Sequence, residues 1–130
     1  MAAAGRERPP IDWDSLTFSF TETDRMFVAN GSWEDGWSEG RMVDFQPLNL
    51  SPAACVLNYG QGLFEGMKAR RTPDGKITLF RPEMNARRAA EGARRLVMPE
   101  VSESMFIKAV KKVAEENKRW VPPHLSLIHI

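Results

Sequence analysis

The sequence predicts an α+β domain, its strands gathered in the first 80 residues and its helices after them. Two observations carry this. Residues 65–71, the run Thr72-Pro73-Asp74-Gly75 and residues 76–80 read as strand, turn and strand. Residues 82–97, and a second stretch beginning at Ser102, then repeat apolar residues at helical spacing. A chain of 130 residues is the size of one ordinary domain with a small core.

Taken in order, residues 1–11 are small, charged or proline, and read as a mobile tail. Residues 24–29 read as a strand, Met26 and Val28 alternating with Arg25 and Phe27. Asn30-Gly31-Ser32 and Asp35-Gly36 are turn signals. Residues 42–50 alternate weakly and suggest a second strand, with Pro47 at an edge or bend. In the 65–80 hairpin, Pro73 presets φ and Gly75 supplies a positive one. Pro82 suits the first turn of a helix, where its missing N–H costs nothing. Ala86, Ala89, Ala90, Ala93, Leu96 and Val97 form that helix's expected buried stripe, and Pro99 stops it. Ser102 caps the next helix, with Glu103 near its positive end. Its apolar face is Met105, Phe106, Ala109, Val110, Val113 and Ala114. Lys118 and Arg119 suit its negative end, and Pro122-Pro123 closes it.

Composition removes several functional classes. Hydrophobic content is 42%, charged content 27% and net charge +1, so no global field favours nucleic acid or a membrane surface. No apolar run reaches the roughly 20 residues a bilayer needs. The first ten residues lack the apolar centre of a signal peptide and make a poor transit peptide. The single cysteine, Cys55, builds neither a disulfide framework nor a metal site and reads as a small core residue. His124 and His129 have no partner at useful spacing.

Gly60-x-Gly62-x-x-x-Gly66 has the spacing of neither the dinucleotide fingerprint nor the P-loop. Its glycines suit turns or close backbone approach. Arg70, Arg71, Arg81, Arg87, Arg88, Arg94 and Arg95 lack stacking aromatics and, with Glu83 and Glu91, read as a solvated charged face. Arg88 lies beside the apolar stripe, where two readings stand: a solvated side chain, or a guanidinium aimed inward at an anion. By themselves Tyr59 and Phe64 read as core aromatics, and Lys68 as a solvated strand lysine rather than a nucleophile.

The run Tyr59-Gly60-Gln61-Gly62-Leu63-Phe64-Glu65-Gly66-Met67-Lys68-Ala69 resembles the signature of the branched-chain amino acid aminotransferases, pyridoxal-phosphate enzymes of fold type IV. Thr72-Pro73-Asp74-Gly75-Lys76 and Leu79-Phe80-Arg81-Pro82-Glu83-Met84-Asn85-Ala86-Arg87-Arg88 continue it in order and spacing. Thr23-Asp24-Arg25-Met26, Trp33, Trp37-Ser38-Glu39-Gly40 and Asn117-Lys118-Arg119-Trp120-Val121-Pro122 extend it from about Phe18 to Pro123.

The resemblance implies that residues 12–123 are the small N-terminal domain of such an enzyme, closing one side of the cofactor cleft of a homodimer. The implied reaction moves an amino group between leucine, isoleucine or valine and 2-oxoglutarate. The resemblance gives Arg88 the cofactor phosphate, Phe18 and Phe64 the hydrophobic side-chain pocket, and Tyr59 the neighbouring subunit's pocket. It gives no residue of this chain a catalytic role. The lysine that holds the cofactor covalently belongs to the family's larger C-terminal domain, so the chain alone is expected to be inactive.

Departures are equally specific. After Pro123 the family continues into a strand of the type Ser-Leu-Tyr-Ile-Arg-Pro, whereas His124-Leu125-Ser126-Leu127-Ile128-His129-Ile130 reads as a tail foreign to it. Arg25 stands where an aromatic or histidine is common, and the basic pair Arg70-Arg71 follows Met67-Lys68; these departures leave open a related substrate, such as a methionine-derived one. Two alternatives remain: a non-catalytic binding or dimerisation module, and another fold-type-IV enzyme such as a D-amino acid aminotransferase or aminodeoxychorismate lyase. Trp33, Trp37 and Phe64-Glu65-Gly66-Met67-Lys68 favour the branched-chain group. The compartment stays open, with cytoplasm the default and plastid or mitochondrion the alternatives.

Overall fold

The computed structural model describes residues 9–17 and 19–123. It has the expected α+β composition, with antiparallel strand pairs preceding two main helices. Strand β1 (Arg25–Val28) pairs with β4 (Arg41–Asp44), placing Met26 opposite Val43 and Phe27 opposite Met42. Between them β2 (Gly31–Ser32) pairs with β3 (Gly36–Trp37). Ser38 N–H donates to Asn30 O at 2.8 Å, joining the two ladders into one interrupted hairpin. The predicted turn at Asp35-Gly36 is the tip of this hairpin, whereas Gly31 and Ser32, also read as a turn signal, pair as β2. Gly40, at φ 68°, lets Phe27 close over the hairpin, because a Cβ there would lie 2.2 Å from the ring's Cζ.

The strand expected over 42–50 ends at Asp44. Phe45 N–H still reaches Asp24 O at 3.1 Å, but Pro47 has no N–H to extend a ladder. No local signal marked the short helix α1 (Cys55–Tyr59), which Gly60 terminates in the left-handed conformation at φ 62°. Cys55 lies on this helix and is exposed, which corrects its expected place in the core.

Strand β5 (Ala69–Arg71) pairs with β6 (Ile77–Leu79), and Gly75 takes φ 81° in the turn. Thr72 N–H donates to Lys76 O at 2.8 Å, closing the predicted hairpin. Of the strand expected over 65–71, only the last three residues pair.

Helix α2 (Pro82–Arg95) begins with Pro82 in its first turn, as expected. Ala86, Ala89 and Ala93 are buried and let helix α3 (Glu103–Glu116) approach closely. Ser102 Oγ accepts Met105 N–H at 3.2 Å and caps α3. Met105, Phe106, Ala109, Val110, Val113 and Ala114 are all half-buried, on a face that meets α2 and β1. Arg87–Glu103 at 3.2 Å and Arg94–Glu100 at 2.7 Å bridge α2 to the start of α3 and the loop before it.

Leu96 and Val97 do not belong to the buried stripe. Met98 N–H donates to Ala93 O at 2.8 Å and Val97 N–H to Arg94 O at 3.2 Å. These are the two bonds of a Schellman closure, and they put Val97 at φ 52°. The chain leaves the helix axis there, so both side chains turn to solvent.

Asn117, buried at the end of α3, ties the layers together. Its Oδ1 accepts Asp24 N–H at 3.1 Å and Arg25 N–H at 2.9 Å, while Nδ2 donates to Arg25 O and Val113 O, both at 2.9 Å. Arg119 lies just beyond the helix and donates to both carboxylate oxygens of Asp24, at 2.6 and 3.0 Å.

Candidate functional site

Residues 61–66 run antiparallel along α2. Gln61 Nε2 donates to Leu96 O at 2.7 Å. The Leu63 side chain lies against Gly92, where a Cβ would sit 2.3 Å from Leu63 Cδ1. Glu65 meets Arg88 and Asn85. The register follows from geometry: two extended residues span about 6.6 Å and four helical residues about 6 Å. Gln61, Leu63 and Glu65 therefore fall on Leu96, Gly92 and Arg88, while Gly62 and Phe64 face away. This lengthwise contact explains why residues 65–68 do not join the strand predicted for them.

At the end of this contact is a charged cluster. Arg88 Nε–H donates to Glu65 Oε1 at 2.8 Å and Nη2–H to Glu65 Oε2 at 2.7 Å. Asn85, buried one turn earlier, donates from Nδ2 to Glu65 Oε2 at 2.8 Å and to Gly66 O at 3.0 Å. The Arg88 hydrogen bonds hold the Glu65 carboxyl below its ordinary range, and the carboxylate in turn raises Arg88. Both groups are charged at neutral pH. The clamp occupies one edge of the guanidinium; its Nη1/Nη2 edge has the bidentate geometry suited to a phosphate. The donor chemistry thus fits the phosphate of pyridoxal phosphate, the cofactor that the resemblance implies.

The expected site residues fall as follows. Arg88 is not turned inward: its side chain is 62% exposed, and its partner is the carboxylate of Glu65. Tyr59, at the end of α1, is 86% exposed and Phe64 91%, so neither is the core aromatic that its neighbours suggested. Phe64 and Arg88 are brought to one neighbourhood through Glu65, and the Phe64 ring folds beside Gly66. Phe18 lies outside the described residues. Lys68 is exposed, as expected, though it precedes β5 rather than lying in it. A groove of about 700 Å³ opens elsewhere, lined by residues that include Arg71, Ile77, Leu79, Lys111 and Lys118; Tyr59, Phe64 and Arg88 are not among its walls. Among the described residues no cluster of metal-ligating side chains occurs.

Glu65 and Asn85 were not singled out in the sequence. The signal was present in two periods, residues 61, 63 and 65 at spacing two against 88, 92 and 96 at spacing four. Neither shows which strand lies on which helix.

Known proteins supply the remaining observation. The chain is 49% identical over 113 residues, 87% of its length, to methionine aminotransferase BCAT4 of Arabidopsis thaliana. It is 50% identical over 117 residues to branched-chain amino acid aminotransferase 2, chloroplastic, of Humulus lupulus. Over about nine-tenths of its length the chain is thus similar to part of the branched-chain amino acid aminotransferases, at 43–50% identity. Branched-chain-amino-acid aminotransferase 1, mitochondrial, of Arabidopsis thaliana is 46% identical over 117 residues. The chain spans 32%, 29% and 30% of these three relatives respectively. No family profile matches it.

Proposed function

We propose that residues 12–123 are the small domain of a dimeric transaminase that exchanges amino groups between leucine, isoleucine or valine and 2-oxoglutarate. The observation that carries this is identity of 43–50% to relatives named as branched-chain aminotransferases, over about nine-tenths of the chain. When bound, pyridoxal phosphate supplies the electron sink for deprotonating the amino acid's α-carbon. In this reading Arg88 holds the cofactor's phosphate, Phe18 and Phe64 wall the pocket for the substrate's aliphatic side chain, and Tyr59 reaches the neighbouring subunit. High exposure of Tyr59 and Phe64 suits side chains whose contacts come from other polypeptide. Apolar walls discriminate by burial, at about 0.8 kcal/mol per methylene.

A second reading has one specific observation behind it, the relative named methionine aminotransferase. The compartment in the first reading is organellar, after branched-chain relatives named chloroplastic and mitochondrial. No helix among the described residues is long and apolar enough to cross a membrane.

Two measurements test the proposal. A longer protein carrying these residues, assayed with 2-oxoglutarate, should use leucine, isoleucine and valine with higher kcat/KM than methionine; the reverse order moves the assignment to the second reading. The 130-residue chain, incubated with pyridoxal phosphate and borohydride, should show no stoichiometric reduced adduct at any lysine by mass spectrometry. Such an adduct would refute the absence of the covalent lysine.

A further inference from the structure

We propose that Glu65 is a positioning residue for anion capture, fixing the Arg88 guanidinium through Nε and Nη2 so that its Nη1/Nη2 edge is presented to a phosphate. This rests on the reading of Arg88 as the phosphate ligand and assigns the residue that aims it.

Three observations support the assignment. First, the clamp is bidentate, with both Glu65 oxygens engaged at 2.8 and 2.7 Å, which selects one of the many rotamers open to an arginine. Second, the carboxylate is built into the fold. Its side chain is 15% exposed, whereas the carboxylates paired with the neighbouring Arg87, Arg94 and Arg95 are 43–56% exposed. Third, Glu65 is itself secured: Asn85 donates to its Oε2 and to the adjoining Gly66 O, and Leu63 seats against Gly92 one helical turn beyond Arg88. An ion pair serving only as surface decoration needs none of this support.

One effect opposes the proposal, since the Glu65 charge repels an arriving anion. The repulsion acts across an exposed guanidinium, where water and salt screen it, whereas the clamp is a direct contact to a carboxylate only 15% exposed, which salt screens less.

The test uses the 130-residue chain with 15N-labelled arginine and inorganic phosphate as the probe, at constant ionic strength. In the wild type the Arg88 Nε–H should exchange slowly, and phosphate should move the Nη signals while leaving Nε in place. Glu65→Gln should retain the circular-dichroism spectrum, lose the slow Nε–H exchange and bind phosphate about fivefold or more weakly, as expected when a pre-organised group is released. Asn85→Ala should fall between the two. Arg88→Ala is the control. Should phosphate binding survive that change, or the wild type show no response, the reading of Arg88 falls and the inference with it. If Arg88→Ala abolishes binding but Glu65→Gln binds as tightly as the wild type or more so, only the positioning role is overturned.

Discussion

The bond between Glu65 and Arg88 makes a residue-scale prediction about pH. The Glu65 carboxyl is held below its ordinary value of 4.5 by hydrogen bonds from Arg88. A depressed folded-state pKa stabilises the fold fully above the unfolded value, and the contribution disappears as pH falls through the folded one. The melting-temperature difference between wild type and Glu65→Gln should therefore be constant from neutral pH down to about 5 and shrink steadily below 4.5. A difference unchanged at pH 2 to 3 would show that the ion pair does not act in the fold. Asn117 offers a harder test. Its amide serves the N–H groups of Asp24 and Arg25 and the carbonyls of Arg25 and Val113. Asn117→Ala leaves both N–H groups and Arg25 O without this partner in a region of restricted water access, while Val113 O keeps the backbone N–H of residue 117, and urea denaturation should show a loss of about 3 kcal/mol.

Backbone conformation governs the predictions for individual elements. Val97 closes α2 at φ 52°, a region that costs a β-branched residue about 1–2 kcal/mol. Val97 is also exposed, so little packing is lost by removing it. Val97→Gly should raise stability by about 1 kcal/mol, after allowing for glycine's freer unfolded chain. Gly40 and Gly75 separate strain from crowding. Both have positive φ, 68° and 81°, but a Cβ meets Phe27 at Gly40 and open space at Gly75. Gly75→Ala should cost about 1 kcal/mol, and Gly40→Ala clearly more, because ring displacement adds to strain. Equal losses in chemical denaturation would refute the close packing of Phe27 on Gly40.

At the scale of the whole fold, buried surface among the described residues is thin. Among the described residues the buried apolar side chains are Ala86, Ala89, Ala93 and Val121, and no large side chain is fully buried. Leu57, Tyr59, Phe64 and Phe80 instead face solvent. An apolar surface of this kind favours association. The isolated chain should bind a hydrophobic dye such as ANS strongly. Replacing Leu57 and Phe64 together by serine should lower the dye signal while leaving the melting temperature within a few degrees. A large fall in melting temperature would mean that these side chains support the fold itself.

Local chemistry made much of this readable in advance. Turn residues fixed the 72–75 hairpin, Pro82 and Ser102 marked the starts of two helices, and the alanine spacing found the helix face that is buried. The same signals missed α1, overextended the strand at 65–71 and placed Val97 inside. The family resemblance was legible in the order of motifs, and the relatives bear it out. The partner of Arg88 was not legible. Its assignment requires residues 61–66 to lie on α2 in one register, and a carboxylate 23 positions away carries no local mark of that meeting. Sequence determined which segments turn, cap and bury, because those preferences act within a few residues. Only the tertiary structure decided which charges meet, because pairing across the chain depends on how whole elements pack.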